Sequence, residues 1–110
     1  MGGVKMDGIR WKEFSLALQL GHVGSEFSRA LYWETKADFP NREKALLRAL
    51  QLLDLTIQDD RWRPRLKELT RLREVMCDWF CGQKQYDTSP QQLEKYFTDF
   101  AVYSRKEAAV

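Results

Sequence analysis

Histidine occurs once in these 110 residues, cysteine twice and proline three times, and the formal net charge is only +2. Two thiols are too few for the dense disulfide framework of a small secreted domain. Cys77 and Cys81 lie four residues apart. That spacing puts both on one face of a helix, a poor geometry for a disulfide. With no second cysteine pair and only His22 to add, a structural zinc site lacks its ligands. The pair reads as small apolar thiols packed in a core, and no metal or cofactor is expected. A charge of +2 does not by itself argue for nucleic acid, so any such case has to come from local clustering. No apolar run approaches the ~20 residues of a membrane-spanning helix. The first residues, Met1 to Gly8, hold no apolar stretch of the secretory kind, and Met6 stands where a myristoylation signal needs Ser or Thr. The chain is therefore expected in the cytoplasm and away from membranes. Gly21 and Gly24 fall inside a helical pattern and form no phosphate-cradling loop.

What is present is apolar surface at helical spacing. A hydrophobic share of 44% and a charged share of 31% describe a single globular domain with one modest core, and 13% aromatics place bulky rings in it. The densest stretch is Ala45 to Ile57. Leu46, Ala49, Leu50, Leu53 and Ile57 recur at three- and four-residue steps, while Leu47, Leu52 and Leu55 widen the apolar surface beyond one face. A helix so apolar belongs in the middle of a bundle, covered from several directions.

Three further helices follow from the same spacing. The first is expected from Trp11 to Ala37, with Leu16, Leu20, Val23, Phe27, Ala30 and Leu31 on its core face. Ala17, Gly21, Gly24 and Ser28 make a second stripe of small residues, which suits a closely packed neighbour helix; the alternative is a bend at the glycines. Pro40 ends that helix, and Asp38 or Asn41 caps the next, which runs to about Gln58. Pro64 suits the first turn of the third helix, which carries Leu66, Leu69, Leu72, Val75, Met76, Trp79 and Phe80 and stops at Gly82. Ser89, Pro90 and Gln92 form an N-cap, a first helical residue and a capping box for the fourth. Leu93, Tyr96, Phe97, Phe100, Ala101 and Ser104 face its core side, and Arg105 and Lys106 complement its dipole. No segment alternates as an exposed strand does. The expectation is an all-α, antiparallel up-down-up-down four-helix bundle over residues 11–106, with a disordered leader at 1–10 and a frayed end at 107–110.

Two surfaces are candidates for function. His22, Glu26, Arg29 and Trp33 share a narrow arc of the first helix. His22, Glu26 and Arg29 are residue types that can make an acid–base trio. They also make an ordinary exposed face laced by ion pairs, or, with Trp33, a partner-binding face. The second surface is the run Arg61, Arg63, Arg65, Lys67, Arg71 and Arg73, opposed within it only by Glu68. Arg63, Lys67 and Arg71 step by four along one side of a helix, and Trp62 adds a ring able to stack on a base. Such a stripe can follow phosphates; the alternative is a solvated face paired with Asp59, Asp60, Glu68 and Glu74.

Four short helices across residues 12 to 104, with Phe39-Pro-Asn-Arg-Glu-Lys44 opening the second and Arg71-Leu-Arg-Glu74 in the third, resemble small bacterial four-helix-bundle proteins. One such group is HEPN-like, whose nuclease members set an arginine a short step ahead of a histidine. Ahead of His22 stand Ser15, Leu16 and Ala17 instead. The other is the accessory variability protein of diversity-generating retroelements, a basic bundle that acts by binding a reverse transcriptase and nucleic acid. The expected function is a non-enzymatic binding module, working as a homo-oligomer or with a protein partner and optionally with nucleic acid or another anionic partner. The alternative is an HEPN-like RNA-processing enzyme using His22, with Glu26 and Arg29 beside it.

Overall fold

A computed structural model of the chain describes residues 8–81 and 89–109, without the side chains of 8, 9, 81, 104, 105 and 107–109. The described residues form one short helix, α1 (Gly8–Trp11), four long ones, α2 (Leu16–Thr35), α3 (Phe39–Ile57), α4 (Leu66–Cys81) and α5 (Pro90–Ala109), and a 3-10 segment at Asp60–Arg65. The four long helices pack together, and the described residues contain no strand.

The expected first helix is divided. Trp11 closes α1, and the N–H groups of Glu13 and Phe14 bond back to the carbonyls of Arg10 and Trp11 in a turn. Ser15 then caps α2, its hydroxyl accepting from the Leu18 N–H at 3.2 Å. Periodicity missed this break because Trp11 keeps facing the core: it is fully buried and donates its indole N–H to Thr56 Oγ1 at 3.1 Å. At its far end α2 closes with two back-bonds, Ala37 N–H to Glu34 O and Asp38 N–H to Trp33 O. This closure puts Ala37 at φ 53°, a conformation that glycine adopts more easily. Asp38 at once caps α3 by accepting from the Asn41 N–H.

The leucine-rich α3 buries Ala45, Leu46, Ala49, Leu52, Leu53 and Thr56. It lies between α2 and α4, but Leu47 is 57% exposed, and Leu50, Leu55 and Ile57 are half-buried. Wide apolar coverage is therefore corrected to a core stripe with half-covered flanks. The helix packed along its length on two sides is α2, against α3 and α5. The connection after α3 is also corrected. Asp59 caps a 3-10 turn, Pro64 falls inside that turn, and α4 starts at Leu66. The proposed stop at Gly82 lies outside the described residues.

At α5 the capping box forms as expected. Ser89 N–H donates to Gln92 Oε1 at 2.8 Å, and Gln92 N–H donates to Ser89 Oγ at 3.1 Å. Leu93 and Phe97 are buried, while Tyr96, Phe100 and Ala101 are half-buried. The side chains of Ser104 and Arg105 lie outside the described residues. The small-residue stripe of α2 receives α5, and α2 continues as helix through both glycines. A Cβ on Gly24 would lie 2.2 Å from Phe97 Cβ, whereas one on Gly21 would meet Ala101 at 3.4–3.5 Å.

The two glycines therefore separate by substitution. Gly24→Ala is expected to lower the unfolding free energy by about 3 kcal/mol, because backbone-anchored atoms must move. Gly21→Ala should leave it unchanged or raise it by up to ~1 kcal/mol through helix propensity. Urea denaturation of both variants checks this, and equal effects would contradict the close approach at Gly24.

Candidate functional site

The arc of α2 holding His22, Glu26, Arg29 and Trp33 exists, but its members do different work. Glu26 is 2% exposed. A carboxylate so placed needs charged partners. It has two: Oε1 accepts from Arg29 Nη1, and Oε2 accepts from Arg48 Nε on α3 at 2.5 Å. His22 makes no hydrogen bond to Glu26 among the described residues. Its imidazole stacks on Phe14 at 5.6 Å and lies 5.9 Å from Trp11. Burial pushes its pKa below 6.5 and so favours the neutral ring. Trp33 is half-buried against the core, edge-on to Tyr32 at 5.1 Å. The structure thus joins Glu26 to Arg29, adds Arg48, and leaves His22 in an aromatic nest. Arg48 was missed because its link spans 22 residues.

The basic run is similarly divided by its partners. Asp59, 3% exposed, accepts from the Arg61 side chain through both oxygens, the shortest contact being 2.6 Å from Nη2. Arg61 also donates to Phe14 O at 2.9 Å and lies 4.4 Å from the Trp62 ring centre. The Trp62 indole N–H donates to Gln19 Oε1 at 3.0 Å, so this ring belongs to the packing of the bundle end. Arg73 Nε donates to Asp54 of α3 at 2.6 Å, and its Nη1 approaches the half-buried Cys77 Sγ at 3.6 Å. Between these anchors the other cations face outward. Arg63 pairs with the exposed Asp60 at 3.2 Å, and Arg65 pairs with Glu68 at 2.5 Å. Arg65, Lys67 and Arg71 line a shallow depression with Pro64 and Glu68. Glu68 also accepts from the Tyr96 hydroxyl of α5 at 3.2 Å; burial, with Glu68 adding to it, pushes that phenol up to about 12.

A third surface went unnoticed in the sequence. Where the start of α3 meets the end of α4, the Arg42 guanidinium lies 4.8 Å from the Trp79 ring centre, 5.6 Å from Phe80 and 5.9 Å from Phe39. Phe39, Phe80 and nearby Tyr32 are each more than a third exposed. Arg42 Nε is 2.6 Å from Glu34 Oε1, yet its N–H makes no hydrogen bond among the described residues: the pair is close enough for an ion contact, but the donor is not aimed at the oxygen. Phe39 and Arg42 at a three-residue step were the available signal; that Trp79 and Phe80 join them depends on the packing of α4. Among the described residues no group of three His, Cys, Asp or Glu side chains could hold a metal ion, and no helix is long and apolar enough to cross a membrane.

Asp59 yields a pH prediction. Hydrogen bonds from Arg61, opposed by burial, hold its pKa at about 2 against an ordinary 3.8. A carboxyl depressed on folding stabilises the native state above about pH 4, and that contribution fades as pH falls through ~2. The shift corresponds to about 2 kcal/mol. Asp59→Asn should lose about that much at pH 7 and show a flatter decline between pH 4 and 2 in urea titrations. A variant with the same acid slope as the wild type would disprove the coupling.

No known family model matches the chain, and no match was found among curated proteins or solved structures.

Proposed function

We propose that this protein is a non-enzymatic helical-bundle module that works by association, a second copy of the chain meeting the aromatic end of the bundle. We also read its helices as running up-down-up-down and antiparallel. Three sets of contacts support that order: Trp11 with Thr56, Arg42 with Trp79, and on α5 Ala101 with Gly21 followed by Phe97 with Gly24. The observation that carries the functional reading is the exposed ring cluster of Tyr32, Phe39 and Phe80 around Arg42 and Trp79. Aromatic side chains and arginine are the residue types that anchor protein interfaces, and stacking holds these in place before a partner arrives. The resemblance to a retroelement accessory protein, which acts by binding, agrees with this reading. An RNA-processing enzyme built on His22 draws no support from an imidazole stacked on Phe14 and unbonded to Glu26. The cytoplasm is the compartment we assign, in keeping with Cys77 as a free thiol.

Sedimentation tests the association. Wild-type protein at micromolar concentration is expected above the monomer mass, and Phe39→Glu with Phe80→Glu should return it to monomer. A monomeric wild type, or an oligomer indifferent to those charges, would refute the reading.

A second contact with an anionic partner, nucleic acid included, is favoured by one observation: Arg65, Lys67 and Arg71 border one shallow depression. Reversal of Arg63, Lys67 and Arg71 to glutamate should abolish retention on heparin. Retention that survives the reversal would discard this contact.

A further inference from the structure

Where α2 meets α3, Glu26 and Arg29 of the α2 arc join Arg48 in a charge arrangement that neither contact proposed above uses. We propose that it is a binding site for a phosphate-monoester group, organised from below by the buried carboxylate of Glu26.

Glu26 draws one guanidinium from each helix, Arg29 from α2 and Arg48 from α3. Each arginine reaches the carboxylate through a single nitrogen, and neither makes another hydrogen bond among the described residues. The Arg29 side chain is 61% exposed and that of Arg48 32% exposed, and each guanidinium keeps N–H groups that no hydrogen bond among the described residues uses. Because each bonds one oxygen of the same carboxylate, the two guanidinium groups are both held at Glu26, one from each helix. An arginine presents paired donors that match the oxygens of a phosphate, and two fixed forks can share one such group. Their positions are set in the free protein, which lowers the ordering cost of binding.

Charge points to the same ligand. Lys44, exposed and one turn before Arg48, stands on the same side of α3. Two guanidinium groups thus bond a single carboxylate, with one lysine a turn away on the same side of α3. That excess suits a dianionic monoester better than a singly charged diester. Of the other acids on these two helices, Asp54 pairs with Arg73 of α4 and Glu34 with Arg42, while Glu43 beside Lys44 is exposed. His22, one turn before Glu26, adds no fixed charge, since burial lowers its pKa.

The test follows arginine side-chain Nε–Hε resonances in ¹⁵N-labelled protein during titration with phenyl phosphate, and separately with dimethyl phosphate, at constant ionic strength. Saturable shifts are expected at Arg29 and Arg48 and not at Arg63 or Arg65, with dimethyl phosphate at least about tenfold weaker. Arg29→Lys keeps the charge and leaves Glu26 paired with Arg48; it should weaken phenyl phosphate binding by about tenfold. Arg29→Gln serves if the lysine variant fails to fold. Unchanged affinity in the folded variant would mean that the Arg–Glu–Arg cluster only joins two helices, and would overturn the site. So would shifts spread evenly over all exposed arginines. Equal affinity for dimethyl phosphate would overturn the monoester assignment in favour of a phosphodiester backbone.

Discussion

One buried amide holds the foot of the bundle together. Gln19 is fully buried on α2; its Nε2 donates to Trp11 O at 2.8 Å and approaches Asp59 Oδ2 at 3.4 Å, while its Oε1 accepts from Trp62 Nε1 at 3.0 Å. An amide in the core is unfavourable unless its donors and acceptor are met, and here partners come from the turn before α2 and from the 3-10 segment after α3. Those two connections are thereby fixed to each other. Arg61 closes the same junction from outside by reaching both Asp59 and the Phe14 carbonyl. The direction in which α4 leaves that 3-10 segment, and so the placement of the basic face, depends on this junction.

The same constraint explains why six cations in thirteen residues do not form one stripe. A 3-10 turn advances three residues per turn and an α-helix 3.6, so the register that links Arg63, Lys67 and Arg71 on paper crosses a change of period at Leu66. At either end of the run one arginine is held by an acid of the preceding α3 region, Asp59 for Arg61 and Asp54 for Arg73. What remains outward is a shorter cationic patch than a count of residues suggests.

Local chemistry was legible in the sequence wherever it acts within one turn. The Ser89–Gln92 capping box, the Asp38 cap and the core faces of α2 and α5 need only neighbours three or four residues away. The glycine stripe was legible for a different reason: two glycines in phase with an unbroken apolar pattern leave close packing as the natural use. Contacts across elements were not legible. The link from Glu26 to Arg48 spans 22 residues, that from Arg73 to Asp54 spans 19, and that from Trp11 to Thr56 spans 45. Helical spacing puts His22, Glu26, Arg29 and Trp33 on one arc, but it cannot say which edge of that arc the neighbouring helix covers. In α2 the approach of α3 buries Glu26 and leaves Arg29, three residues on, in solvent.

The two ends of the bundle differ in how completely they satisfy their own groups, and this difference decides which end can offer itself to a partner. At the Gln19 end the buried polar atoms bond one another, and Trp11 and Trp62 both donate their indole N–H groups within the chain. A partner there would have to displace bonds already made. At the Arg42 end the attraction is between a cation and ring faces, which saturates less sharply because each ring keeps an open edge or face. Arg42 touches three rings at once, and Phe39 and Phe80 remain well exposed around it. Covering those rings would remove apolar surface from water without breaking any hydrogen bond described there, so a partner at this end would gain hydrophobic burial, against the cost of desolvating Arg42 and Glu34.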